Sequence, residues 1–357
     1  MKILTIVGAR PQFIKAATVS RVISRTEGLV EVMVHTGQHF DANMSDVFFH
    51  ELDIPRPAYN LGVGGGTHGQ NTGRMLEGIE AVMLKEHPDA ILVYGDTDST
   101  LAGALAAAKI HIPVVHVEAG LRSFNRRMPE EVNRQLTDHI SALLLTPNDV
   151  AVANLAKEGI QGEQVQNVGD VMYDAALFFG QKAEETSQVL SRLALDSKGY
   201  VLATVHRQEN TDDPKRLQRI LDGFSRLERP VVLPLHPRTR QRIASFGFTI
   251  PANVQIVDPL GYIDMVMLEK HACLVATDSG GVQKEAYFHG VPCLTLRDET
   301  EWVELVQLGW NTLLSPADED FLDKIAVVPA PGVTGQFPYG NGKAAEQVID
   351  AIVKAFG

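Results

Sequence analysis

The chain has 357 residues, 45% hydrophobic and 21% charged, enough to bury two cores at about 150 residues each. Its 32 Lys and Arg against 44 Asp and Glu give a formal net charge of −12, which repels a polyanion and excludes a nucleic-acid backbone as the expected partner. The two cysteines, Cys273 and Cys293, lie in apolar runs without a C-x-x-C partner, so neither a disulfide framework nor a metal site is expected.

The first apolar run, 2–7, breaks at Gly8-Ala9-Arg10-Pro11 and is too short for a signal-peptide core. The longest uncharged stretches, such as 99–108, are about half of the roughly 20 residues that cross a bilayer. A cytoplasmic location without membrane insertion is expected. Further runs rich in Val, Ile and Leu follow at 30–36, 90–94, 114–118 and 142–147 and read as buried parallel strands. Segments of helical period lie between them, at 13–25, 72–85, 100–109, 130–141 and 149–159. This alternation predicts a doubly wound α/β sheet.

After a polar stretch, 181–198, the pattern restarts with apolar runs at 200–205, 231–235, 254–257, 274–277 and 291–296. The expected architecture is α/β, with two Rossmann-like domains facing a central cleft: residues 1–170, and 171–342 as the nucleotide-binding half. A last amphipathic helix within 343–357 packs back on one of them. No repeat of about 20 to 50 residues is present, which excludes a solenoid. Ligands bind outside the carboxyl ends of parallel strands, so the chemistry is sought there.

Gly8 to Lys15 joins a glycine turn, helix N–H groups and two cations, Arg10 and Lys15, an anion site in outline. The competing reading is an ordinary strand-to-helix turn with solvated cations. Gly95-Asp96-Thr97-Asp98-Ser99-Thr100 places Asp96 at the cleft, with Asp98 or Ser99 capping the next helix. In His116-Val117-Glu118, the period-two alternation of a strand puts His116 and Glu118 on one face. Pro129 starts a helix on which Glu130 and Arg134 are neighbours. A solvated surface pair competes there, but three carboxylates converging with Arg10 and Lys15 favour a site.

The second half supplies His206 and His236 at strand ends, each alone more often structural than reactive. Its sharpest feature is Asp278-Ser279-Gly280-Gly281, a turn that opens a helix. Its N–H groups and the Ser279 hydroxyl suit a diphosphate, and Glu285, one turn on, suits ribose hydroxyls. A glycine-rich cap is the bland alternative. Gly64-Gly65-Gly66-Thr67-His68-Gly69 matches G-x-G-x-x-G, but no buried strand is expected before it, so a dinucleotide cofactor is not implied. The absence of G-x-x-x-x-G-K-[ST], H-E-x-x-H and G-x-S-x-G removes the main supports for ATPase, zinc-peptidase and serine-hydrolase readings.

Taken in order, Gly8-Ala9-Arg10-Pro11 with Lys15, Thr36-Gly37-Gln38-His39, Gly95-Asp96-Thr97, His116 to Arg122, Pro129 to Arg134 and Asp278 to Gln283 resemble the non-hydrolysing UDP-N-acetylglucosamine 2-epimerases, whose fold is similar to the GT-B glycosyltransferases. The resemblance spans nearly the whole chain. It implies inversion at C2 of a UDP-linked 2-acetamido sugar by loss of UDP to an acetamidoglucal and re-addition, with no cofactor and no metal. It assigns acid/base and charge-stabilising roles to Asp96, Glu118 and Glu130, without deciding which serves which face. Lys15, Arg134, His206 and Arg10 are assigned to the departing diphosphate, Pro11, Ser279, Gly280 and Gly281 to UDP, and Glu285 to its ribose. Gln38, Arg74, Glu131 and His236 match the pattern of a second, activating UDP-sugar site, although Asp41 stands where a glutamine is usual.

Two departures bear on the substrate. Lys284-Glu285 replaces the Glu-Glu of many members, and Thr300-Glu301-Trp302-Val303-Glu304 replaces Thr-Glu-Arg-Pro-Glu. The latter resembles the branch that acts on UDP-2,3-diacetamido-2,3-dideoxy-glucuronate. The resemblance implies a homodimer in cell-envelope or capsule polysaccharide synthesis. The rivals are a glycosyltransferase of the same fold, a hydrolysing epimerase and a nucleotide-sugar sensor without turnover.

Overall fold

The computed structural model describes residues 1–38 and 54–357, the side chain of Arg10 excepted. His39 and Asp41 lie outside the described residues, as does the Arg10 side chain. Two compact units form, one of residues 1–175 with 337–357 and one of 176–336.

In the first unit the described strands are β1 (Lys2–Val7), β2 (Val30–His35), β3 (Tyr59–Asn60), β4 (Ala90–Tyr94), β5 (Val114–Val117), β6 (Leu143–Thr146) and β7 (Val165–Asn167). They form one parallel sheet in the order β3-β2-β1-β4-β5-β6-β7. The second unit holds β8 (Val201–Thr204), β9 (Val231–Pro234), β10 (Val254–Val257), β11 (Leu274–Thr277), β12 (Cys293–Thr295) and β13 (Asn311–Leu313), parallel in the order β10-β9-β8-β11-β12-β13. Each order reverses direction once, between β1 and β4 and between β8 and β11. A crevice opens outside the carboxyl ends of the strands at such a point, which is where each unit must carry its ligand groups.

The central strands are buried on both faces, so they read as continuous apolar runs; Ile3, Leu4, Ile6 and Val7 are inaccessible, as are Leu274 to Ala276. Helices cover them by the usual stripe. In Pro214–Ser225, Asp213 caps the Lys215 N–H at 2.8 Å, and Leu217, Ile220, Leu221 and Phe224, at i, i+3, i+4 and i+7, enter the core of the second unit. The last helix, Ala344–Phe356, belongs to the first unit. Asp174 accepts its Ala344 and Ala345 N–H groups at 3.1 and 2.8 Å, and it packs against helix Arg10–Ile23.

The structure departs from the sequence reading at the sheet edges. β3, β7 and β13 are two- or three-residue strands, partly exposed, too short to show a pattern. β3 precedes the 64–69 glycine run, yet it is an edge strand and Gly69 is already inside helix His68–Glu86, so the dinucleotide fingerprint still fails. Helix Asp98–Lys109 is capped by Thr97, whose side chain accepts the Thr100 N–H, and not by Asp98 or Ser99. Cys293 is buried and its thiol is pushed up to about 12 by desolvation; Cys273 is half-buried. Among the described residues no helix is long and apolar enough to cross a membrane.

One buried acid makes a pH prediction. Glu269, in helix Tyr262–His271, is inaccessible, and its Oε2 has no hydrogen-bond partner among the described residues. Desolvation, and then the charge of Glu285, push its pKa well above the carboxylate range. The unfolded chain releases that proton while the folded chain keeps it, so the stability this group contributes is full at low pH and is lost as pH rises past the unfolded value. Glu269→Gln removes that dependence: Tm rises at about pH 7 and is unchanged at about pH 4. An equal change at both pH values contradicts the assignment.

Candidate active site

The crevice of the first unit is built on a steric requirement. A Cβ on Gly8 would lie 2.1 Å from Ser99 Oγ and 2.2 Å from Thr36 Oγ1, so only glycine lets β1 end here. Gln12, buried on the first turn of helix Arg10–Ile23, accepts the Gly8 and Ala9 N–H groups at 2.8 and 3.0 Å. Its amide nitrogen donates to Tyr94 O and Thr100 Oγ1, each at 2.9 Å. The ends of β1 and β4 are thereby tied together, and Lys15, the next turn of that helix, comes over the end of β4.

Lys15 Nζ donates to Glu118 Oε1 at 2.6 Å, and both side chains are buried. Gly95, just past β4 with φ 63°, closes against this pair: a Cβ on it would lie 3.1 Å from Lys15 Nζ and 3.6 Å from Glu118 Oε1. Gly95→Ala therefore strains the turn and displaces the ammonium. A turnover number lower by about 10-fold or more is expected; an unchanged value, with Tm also unchanged, would show that the contact does not matter.

Glu118 does not follow the strand alternation. β5 ends at Val117, and Glu118 takes φ 71°, a left-handed conformation uncommon for a side chain of this kind. The argument that His116 and Glu118 share a strand face therefore lapses at its second residue. His116 is buried and engaged instead at both ring nitrogens, with Asp138 Oδ1 and Gly95 O each 2.7 Å away.

Asp96 follows Gly95 and faces Arg134. Nε and Nη2 of Arg134 both reach Asp96 Oδ2, at 3.1 and 2.5 Å. Asp96 Oδ1 has no partner among the described residues, and the carboxylate is 27% exposed. Asn133 Nδ2 adds support, donating to Asp96 O and Asp98 Oδ1 at 3.0 and 3.1 Å. The solvated surface pair of Glu130 with Arg134 that competed with a site is not formed: Glu130 is exposed and without a described partner. Arg134 Nη1 bonds to Glu131 Oε2 at 2.8 Å, because i+3 and i+4 neighbours compete on a helix and the buried one wins.

Lys15, Glu118, Asp96 and Arg134 are thus two cation–carboxylate pairs around one turn. Of the other predicted groups, Pro11 is exposed in the first turn of helix Arg10–Ile23. Gln38 Oε1 accepts from Ser99 N and Oγ at 3.1 and 2.7 Å. Arg74 is exposed on helix His68–Glu86. Glu131 is inaccessible and accepts from Ser123, Phe124, Arg134 and Gln135. His236 belongs to the second unit, where its Nδ1 accepts the Arg238 N–H at 3.2 Å.

The crevice of the second unit is organised by Asp278, a residue the sequence placed in a motif without a role. It is inaccessible, and it accepts the His206 N–H at 3.1 Å, the Arg207 N–H at 3.0 Å and Asn210 Nδ2 at 3.1 Å. His206 Nδ1 lies 3.4 Å from Asp278 Oδ1, and the imidazole is 49% exposed. Beside it, Ser279 begins helix Gly280–Phe288 without spending its hydroxyl on a cap. Neither Gly280 nor Gly281 has a positive φ, and a Cβ on either would meet nothing closer than 3.8 Å. The fold does not require these glycines, so their smallness leaves the helix N-terminus open to an anion. Glu285 is buried one turn on, its Oε1 accepting the Tyr262 hydroxyl at 2.8 Å. Lys284 lies with Nζ 4.0 Å from the Trp302 ring centroid, and Trp302 Nε1 donates to Gly280 O at 3.0 Å. The two departures noted in the sequence are therefore neighbours. Among the described residues no group of three or more His, Cys, Asp or Glu is placed to hold a metal ion.

Two Rossmann-like units, one with paired acids and cations and one with an open helix N-terminus, define a nucleotide-sugar enzyme of GT-B-like fold. The family model for UDP-N-acetylglucosamine 2-epimerase matches residues 21–353, and the chain belongs to that family of isomerases. It is 53% identical over 99% of its length to the UDP-2,3-diacetamido-2,3-dideoxy-D-glucuronate 2-epimerase of Pseudomonas aeruginosa, covering 100% of that protein. It is 42% identical to the UDP-N-acetylglucosamine 2-epimerase of Methanocaldococcus jannaschii, over 98% of both chains. The crystal structure of the latter with UDP-GlcNAc and UDP matches at a TM-score of 0.92 over 100% of both chains.

Proposed function

We propose that this protein inverts C2 of a UDP-linked 2-acetamido sugar by eliminating UDP to an acetamidoglucal and adding it back with the proton on the other face. The observation that carries the reading is the crevice of the first unit, where Glu118 on Lys15 and Asp96 on Arg134 flank one turn. The C2 proton is not next to a carbonyl, so loss of UDP must develop positive charge at C1 before a carboxylate takes the proton. A site for this chemistry needs acids for the proton and cations for the departing diphosphate. Asp96, Glu118 and Glu130 serve the first need, and Lys15, Arg134, Arg10 and His206 the second. Ser279, Gly280 and Gly281 hold the diphosphate, with Pro11 against the UDP, and Glu285 holds the ribose. Gln38, Arg74, Glu131 and His236 are assigned to an activating UDP-sugar. The protein acts in the cytoplasm as a homodimer, which light scattering tests by its mass.

UDP-N-acetylglucosamine is the substrate that the family and the 42% identical relative support. A second reading, UDP-2,3-diacetamido-2,3-dideoxy-glucuronate by the same mechanism, is favoured by the 53% identical relative and by the Lys284 and Trp302 departures. Comparing kcat/KM for the two UDP-sugars, with no acceptor present, decides between them. Turnover of neither, with transfer to an added acceptor, would replace the epimerase by a glycosyltransferase.

A further inference from the structure

Asp138, in helix Pro129–Ile140, is inaccessible and collects three donors: the His116 ring at Nδ1 (2.7 Å), Arg122 Nη1 (2.7 Å) and the Gly120 N–H (3.1 Å). Burial alone would raise its pKa, but His116 and then Arg122 hold it below the ordinary value. Its three donors bracket Glu118, which sits among them with its left-handed backbone. The other ring nitrogen of His116 meets Gly95 O at 2.7 Å, and the residue after Gly95 is Asp96. Arg122 is fixed in turn by Glu158, at 2.6 and 2.8 Å. One buried carboxylate therefore anchors two turns, each carrying a different acid of the crevice.

We infer that Asp138 and His116 are positioning residues that set Glu118 and Asp96 for proton transfer at C2, an inference that rests on the epimerase reading above. Neither reaches the crevice surface, since both side chains are inaccessible, so they act through the turns. Both turns are held in left-handed conformations, Glu118 at φ 71° and Gly95 at φ 63°. A non-glycine residue relaxes out of that region unless its surroundings hold it. Proton transfer is sensitive to such relaxation, because displacement of a catalytic group by about 1 Å costs on the order of 10²-fold in rate. A carbonyl at Nε2 and a carboxylate at Nδ1 leave the ring with a proton at each end, so the clamp is rigid in both directions.

Asp138→Asn preserves volume while turning one acceptor oxygen into a donor. In this variant kcat falls about 10²-fold, KM stays within about three-fold of the wild type, and the primary isotope effect with C2-deuterated UDP-sugar increases. A purely stabilising cluster would lower Tm and leave the isotope effect unchanged, which would overturn the inference. If that variant does not fold, His116→Gln carries the same test, because it leaves Asp138 its bonds to Arg122 and Gly120. Nitrogen-edited NMR of the wild type adds a check independent of both: slowly exchanging protons on both ring nitrogens of His116 are expected, and a bare ring nitrogen overturns the clamp. Wild-type protein that turns over neither UDP-sugar overturns the epimerase reading and this inference with it. Wild-type turnover with unaltered variants overturns this inference alone.

Discussion

Glu118→Gln lowers the turnover number by about 10³-fold, within the range that general acid–base catalysis supplies, and lowers stability as well. Two effects combine. The substitution removes an acid/base group from the crevice, and it takes from the buried Lys15 ammonium the carboxylate 2.6 Å away. Breaking a buried pair on one side costs about 3–5 kcal/mol, less whatever another partner recovers. The two effects separate in the double variant Lys15→Met with Glu118→Gln, which removes both charges. Tm recovers toward the wild-type value while turnover stays low. Thermal melts and initial rates on the three proteins check this, and a single variant within ten-fold of wild-type turnover would remove Glu118 from the chemistry.

Asp96→Asn lowers turnover by about 10²- to 10³-fold, with Tm almost unchanged. The contrast with Glu118 follows from exposure and geometry. Arg134 holds Asp96 through Oδ2 alone, and an asparagine carbonyl oxygen can take that place. The substitution falls on Oδ1, which Arg134 does not use, in a side chain that is 27% exposed, so the folded state loses little. What is lost is proton affinity at the open position. Rates measured at saturating UDP-sugar, with UDP binding followed separately by calorimetry, distinguish this from a loss of substrate. Full turnover in Asp96→Asn would leave the open oxygen without a function.

Much of this fold was legible because buried parallel strands need apolar residues on both faces, and the runs at β1, β4, β8 and β11 have them. The turns at Gly8, Gly95 and Ser279 were legible for a related reason: a strand that runs into a helix at a glycine brings N–H groups to one point. Legibility failed where the deciding contact is distant in sequence. His116 and Asp138 are 22 residues apart, and Asp278 meets the backbone of His206 72 residues away, so neither aspartate could be given a role from its neighbours. It also failed where two local rules give equal answers. Helical spacing allows Arg134 to pair with Glu130 or Glu131, and only burial of Glu131 against the Ser123 and Phe124 N–H groups decides. Strand alternation does not reach Glu118, because β5 ends at Val117 and nothing in a glutamate announces a left-handed φ.

The central claim is that proton exchange at C2 accompanies reversible loss of UDP. Incubation with each UDP-sugar in deuterium oxide, followed by NMR of the C2 position and the sugar configuration, tests it most directly. The account predicts deuterium at C2 of both epimers, with UDP still attached and no acceptor required. Epimers that keep the original C2 hydrogen, or a sugar released free of UDP, would contradict it.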